Sequence, residues 1–172
     1  MKALVIVDMQ NDFVTGALGS EDAKAIVGNV REEILKAKEN GDMLIFTKDT
    51  HGENYMNTQE GSNLPVVHCV KGTDGHKIIP ELADLTDDAI IIEKPTFGSK
   101  ELGEFIEAHN EIESVELIGV CTDICVVSNA LLIKAFRTEL PVSVKENCCA
   151  GTSKDNHNAA IATMRCCQVK TI

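Results

Sequence analysis

The chain predicts an α/β fold of three layers, with a mostly parallel central sheet between two layers of helices. Short apolar runs of strand length alternate along it with amphipathic stretches at helical spacing. The strand-like runs are mainly apolar, as expected of parallel strands covered on both faces. Of 172 residues, 44% are hydrophobic, enough for one core in a single domain over residues 1–172.

The first strand is Ala3–Val7. Ala23, Ile26, Val27, Val30, Ile34 and Ala37 then recur at helical spacing and predict a helix from Asp22 to Glu39. Asn40-Gly41 supplies its stop. A strand over Met43–Thr47 leads into a long irregular stretch, Lys48–Pro80, and such a loop inside a domain is usually functional. A strand at Ala89–Glu93, a helix at Lys100–His109, a strand at Val115–Gly119 and a helix at Asp123–Phe136 follow. A strand at Val142–Val144, a helix at Asp155–Cys166 and a short strand near Gln168–Lys170 complete the pattern. Crossovers between parallel strands are expected to be right-handed.

Composition narrows the function classes. A net charge of −11 argues against nucleic-acid and anionic-membrane partners, which call for basic patches. No run approaches the ~18 apolar residues of a membrane span. The N-terminus runs directly into a strand and reads as no secretion signal. Seven cysteines, an odd number with no CxxC pair, fit a reducing cytoplasm better than a disulfide scaffold. Cys69, Cys148, Cys149, Cys166 and Cys167 read as small buried hydrophobes. His76, His109 and His157 read as surface residues.

Three residues end apolar strands: Asp8, Lys94 and, just beyond Gly119, Cys125. Ligands of an open parallel sheet bind beyond the carboxyl ends of its strands, so these three can meet. An acid, a base and a thiol are the parts of an activated nucleophile. In Gly119-Val120-Cys121-Thr122-Asp123-Ile124-Cys125-Val126, Asp123 or Thr122 can cap a helix with Cys125 in its first turn. That position is expected to lower a thiol pKa and to aim backbone donors at an oxyanion. Cys121 is the rival thiol, placed before the helix. Asp12 reads as a brace of the turn after Asp8. The long loop carries Asp49-Thr50-His51 and then His68, a carboxylate and imidazole set suited to Zn²⁺, Fe²⁺ or Mn²⁺. Glu60 is an acid nearby.

Taken together, these segments resemble the isochorismatase-like cysteine hydrolases, and within them the nicotinamidase branch. Ala3–Phe13 (ALVIVDMQNDF) is similar to the family's first strand with its catalytic Asp. Asp49-Thr50-His51 with His68 resembles its metal site, with Thr50 where the family motif usually has Trp. Glu93–Ser99 (EKPTFGS) resembles the catalytic-Lys segment and Gly119–Val126 (GVCTDICV) the nucleophile segment. The resemblance implies an isochorismatase-like, Rossmann-like fold and hydrolysis of a small amide by Asp8, Lys94 and Cys125. It implies an oxyanion hole from the backbone N–H groups of Cys121 and Cys125, with a non-proline cis peptide at Val120-Cys121. It makes Asp49, His51 and His68 ligands of a divalent metal, first of all zinc, with Glu60 a fourth as in some nicotinamidases. The pocket would be lined by Phe13, Tyr55 and Phe97, and the chain would form a homo-oligomer. Nicotinamide is the leading substrate; N-carbamoyl compounds, biuret and vinyl ethers remain alternatives. So does a non-catalytic binding or thiol-redox protein on the same fold.

Overall fold

Runs of Val, Ile and Leu favour extended backbone, and where every residue of a run is apolar both faces must be covered. The computed structural model, which describes Met1–Ile172, shows how. Six strands form one sheet: β1 (Lys2–Val7), β2 (Met43–Asp49), β3 (Ile90–Lys94), β4 (Ser114–Val120), β5 (Val142–Ala150) and β6 (Lys170–Thr171). Their order is β3-β2-β1-β4-β5-β6, and every pairing is parallel. This is the doubly wound order, whose crevice opens where the winding reverses, between β1 and β4.

The period of two sorts the strand residues between two cores. Ala3, Val5, Val7, Ile45, Val115 and Leu117 pack on one face with α6 (Lys100–Ala108), α7 (Val127–Phe136) and α8 (Lys154–Cys166). Leu4, Ile6, Leu44, Phe46 and Ile118 pack on the other with α2 (Glu21–Ala25), α3 (Val27–Asn40) and α5 (Pro80–Ala83). The remaining helices are short: α1 (Asn11–Val14) and α4 (Gln59–Asn63).

Several predicted elements differ. The helix expected over Asp22–Glu39 is two helices that meet at Ile26, and apolar periodicity runs through the junction unmarked. Gly41 ends the second in a left-handed conformation (φ 72°), as Asn40-Gly41 signalled. The strand expected over Val142–Val144 continues to Ala150. It does so through an irregularity, since Leu117 faces Val144 while Gly119 faces Cys149. The polar Lys145-Glu146-Asn147 within it hid the continuation. The stretch Lys48–Pro80 is partly ordered, with a 3₁₀ turn at Tyr55–Asn57, α4, and a bridge between His51 and Val70.

No helix is long and apolar enough to cross a membrane.

Candidate active site

Strand register brings the site together. Val7, at the end of β1, lies beside Thr47 on β2 and Gly119 on β4, while Asp49 on β2 lies beside Lys94 on β3. Asp8 follows β1 in a left-handed conformation (φ 49°), which is costly for a non-glycine residue and recurs at functional sites. Its carboxylate is fully buried. Oδ1 accepts the Thr47 hydroxyl at 2.7 Å. Oδ2 forms an ion pair with Lys94 Nζ at 2.7 Å.

Lys94 is also fully buried and binds the site together. Besides Asp8, its ammonium lies 3.3 Å from Asp49 Oδ1 and 3.4 Å from Cys125 Sγ, and it donates to the Thr96 carbonyl at 3.2 Å. Burial opposes the charge, but Asp8, Cys125 and Asp49 outweigh it and hold the ammonium protonated far above the usual lysine range. Burial raises the Asp8 carboxyl against the pull of Lys94. It also raises the Cys125 thiol, assisted by the Asp8 charge and opposed by Lys94. The expected lowering of the thiol pKa is therefore corrected. The buried group balances one ammonium, and Asp8 and Cys125 compete for one proton.

The cap expected from Asp123 or Thr122 is also absent. Asp123 instead accepts from the Thr152 N–H at 2.8 Å and from its hydroxyl at 2.5 Å, while Thr122 pairs with His157 Nδ1 at 2.8 Å. Residues Thr122–Val126 form a π-helical turn that runs on into α7. The Cys121 carbonyl accepts from Ile124 and Val126 and passes over the Cys125 N–H. Wider turns of this kind mark functional positions in helices. The Val120-Cys121 peptide is cis, as the resemblance implied. The Cys121 thiol is half-buried, and burial pushes its pKa up to about 12.

Asp49, His51, Glu60 and His68 form the second group, with one donor atom from each within 4.8 Å of the others. Asp49 Oδ2 lies 2.9 Å from His51 Nε2 and 3.4 Å from His68 Nε2; Glu60 Oε1 lies 3.6 and 3.7 Å from the same two atoms. A tetrahedral ion with bonds of ~2.1 Å sets donors about 3.4 Å apart; the four carboxylate–imidazole separations, 2.9 to 3.7 Å, lie near that value, and the group as a whole spans up to 4.8 Å. His68 Nδ1–H donates to the Val66 carbonyl at 2.7 Å, the usual outer hydrogen bond of a ligating imidazole, and Nε2 faces Asp49. Burial raises the Asp49 carboxyl, but hydrogen bonds from both imidazoles and the charge of Lys94 outweigh it and hold it well below the usual carboxylate range.

Both groups open on one cavity of about 370 Å³. Asp49, Glu60, His68, Cys121 and Cys125 line its polar side, and Phe13, Leu18, Leu64, Phe97 and Ile124 its apolar side. Tyr55 does not line it, which corrects that expectation. Its ring is buried behind the imidazoles, 4.7 Å from that of His51 and 5.0 Å from that of His68, and its hydroxyl donates to the Leu64 carbonyl.

A family model described as the isochorismatase domain matches residues 2–172. The chain belongs to the isochorismatase family. Among its relatives, the nicotinamidase/pyrazinamidase of Mycobacterium tuberculosis is 28% identical, with 100% of this chain and 98% of that protein covered. A pyrazinamidase of Pyrococcus horikoshii, solved in complex with zinc, superposes with a TM-score of 0.87 at 30% identity, covering 99% of this chain and 98% of that one. An N-carbamoylsarcosine amidase of Thermoplasma acidophilum gives 0.82 at 26%, covering 99% and 94%.

Other residues of this isochorismatase-family chain hold the site and were not singled out in the sequence. Thr47 breaks an apolar run. Asn129, a buried amide in α7, accepts from the Ser99 N–H at 2.8 Å and donates to the carbonyls of Phe97 (3.1 Å) and Cys125 (2.8 Å). It ties the helix that carries Cys125 to the loop after Lys94. Asp12 braces its loop as expected, accepting from Cys69 at 2.8 Å and Ala17 at 3.3 Å. His76 is buried, against expectation, and paired with Thr50 Oγ1 at 2.8 Å and Lys48 Nζ at 3.2 Å. Cys69, Cys148 and Cys149 are buried as read; Cys166 and Cys167 are exposed, because α8 turns its end to solvent. His109 and His157 are half-buried.

Proposed function

We propose that the chain is a cysteine amidase that hydrolyses nicotinamide to nicotinate and ammonia. The observation that carries this is the Lys94 ammonium, in contact with both the Asp8 carboxylate and the Cys125 sulfur at the wall of a cavity that also exposes Asp49 and His68.

Asp8 takes the thiol proton through Oδ2, and Lys94 keeps the charge of the buried group balanced while it moves. Cys125 Sγ attacks the amide carbonyl carbon, and the oxyanion is met by the N–H groups of Cys121 and Cys125. The proton on Asp8 passes to the amide nitrogen, the C–N bond breaks, and ammonia leaves a thioester. Water, deprotonated by Asp8, then attacks the thioester carbonyl; the C–S bond breaks, the acid leaves, and the thiolate takes the proton back from Asp8. Asp49, His51, His68 and Glu60 would hold a divalent ion, for which we propose zinc, with iron and manganese suited to the same donors. When bound, the ion supplies a Lewis-acid contact for the pyridine nitrogen. Phe13 and Phe97 flank the ring.

A second reading, an N-carbamoyl substrate, is favoured by the mainly aliphatic apolar wall, which holds only two phenylalanines. The amidase reading, with either substrate, includes self-association, which sedimentation would test. It places residues 1–172 as one unit in a reducing cytoplasm, supported by seven unpaired thiols. A coupled ammonia assay with zinc present, over nicotinamide, pyrazinamide, N-carbamoyl compounds and biuret, decides the substrate. Nicotinamide is expected to lead, and Cys125→Ala to lose at least ~10³-fold in kcat. No ammonia from any of the four would overturn the amidase.

A further inference from the structure

We propose that Gln10 is a positioning residue that locks Asp49, and through it holds the metal group and the nucleophile group in one geometry. This rests on the metal role proposed above for Asp49.

The need for such a lock follows from the sheet. In a parallel strand, the N–H and C=O of one residue face the same neighbour, and those of alternate residues face the same side. The Thr47 carbonyl accepts from Asp8 on the β1 side, so Asp49 also turns its backbone groups that way. But β1 ends at Val7, opposite Thr47, and offers Asp49 no partner. The side chain of Gln10 fills the missing place. Its Oε1 accepts the Asp49 N–H at 2.7 Å, and its Nε2 donates to the Asp49 carbonyl at 2.9 Å. The second hydrogen of Nε2 goes to the His76 carbonyl at 3.0 Å. The amide is fully buried and uses both hydrogens and its oxygen. His76 is itself fixed, since its ring bridges Lys48 Nζ and Thr50 Oγ1.

What is locked matters because the Asp49 carboxylate is shared. Oδ1 meets Lys94 at 3.3 Å, and Oδ2 lies between His51 and His68. A turn of the Asp49 backbone therefore disturbs both groups together. Losing an outer hydrogen bond of a metal ligand usually weakens metal affinity 10–100-fold.

The test uses Gln10→Met, of similar volume, and Gln10→Glu, which sets a carboxylate against two carbonyls. Zinc affinity is read by competition with a chromophoric chelator, and kcat and KM for nicotinamide are read at saturating zinc. Both variants are expected to bind zinc about 10–100-fold more weakly. Saturating zinc is expected to restore KM but leave kcat about 10-fold low, because zinc does not return Lys94 to its contact. Ile34→Ala, in α3 and far from the cavity, serves as a variant of lowered stability and is expected to keep wild-type zinc affinity. Wild-type zinc affinity in Gln10→Met would overturn the proposal alone. An equal loss of affinity in Ile34→Ala at matched loss of Tm would also overturn it. Failure of the wild-type protein to take up zinc would sink the metal reading, and this proposal with it.

Discussion

Asp8, the base we propose, shows how burial can prepare a carboxylate to take a proton. Burial raises its affinity for a proton, and the ion pair with Lys94 and the Thr47 hydroxyl restrain that rise. Thr47→Val removes one restraint at nearly constant volume. The charged form loses a hydrogen bond, so the pKa of Asp8 climbs further. Activity needs Asp8 deprotonated, so the acid limb of the kcat/KM profile should move to higher pH, with a stability loss of about 1–3 kcal/mol by denaturant titration. An unmoved limb would remove Thr47 from the site. Asp8, Lys94 and Cys125 were legible because each stands at or just past the end of an apolar run, and the metal donors because their residue types are few. Thr47, Gln10 and Asn129 were not, since each acts across an interval that only strand register or helix packing sets. Tyr55 was misplaced for the same reason: its position in the loop was visible, but not the direction of its ring.

At the scale of elements, the site depends on a close approach between β1 and β4. Gly119 has φ 114°, a conformation that suits glycine, and a Cβ there would collide with the Val7 carbonyl oxygen. Gly119→Ala should destabilise by about 3 kcal/mol, measured by urea unfolding, and cost activity beyond the fraction unfolded. The strands were readable because apolar runs of this length have few other homes. The length of β5 was not, because polar Lys145, Glu146 and Asn147 interrupt its pattern while backbone pairing carries on. The π-helical turn at Thr122–Val126 was read as an ordinary capped helix start, since Thr and Asp there also suit a cap.

For the whole molecule, alternation of strands and helices announced a parallel sheet but not its order. The order is a matter of which strands pair, and it is what centres the cavity between β1 and β4. The metal group joins the long loop to that centre, so ion binding should stabilise the fold as a whole. Zinc at 100 times its Kd adds about 2.7 kcal/mol if the unfolded chain does not bind it. That corresponds to a rise in Tm of roughly 5–10 °C for a chain of this size, reversed by a chelator. A Tm indifferent to zinc would count against the metal group.

The end of α8 leads to a practical use. Cys166 and Cys167 face water, whereas Cys125 is buried at the wall of the cavity beside Lys94. A bulky aromatic disulfide reagent should therefore count two fast sulfurs and five slow ones, with catalysis intact after the fast phase. A dye or a chip linker placed on that pair would report on the protein, or anchor it, from a corner the substrate never visits.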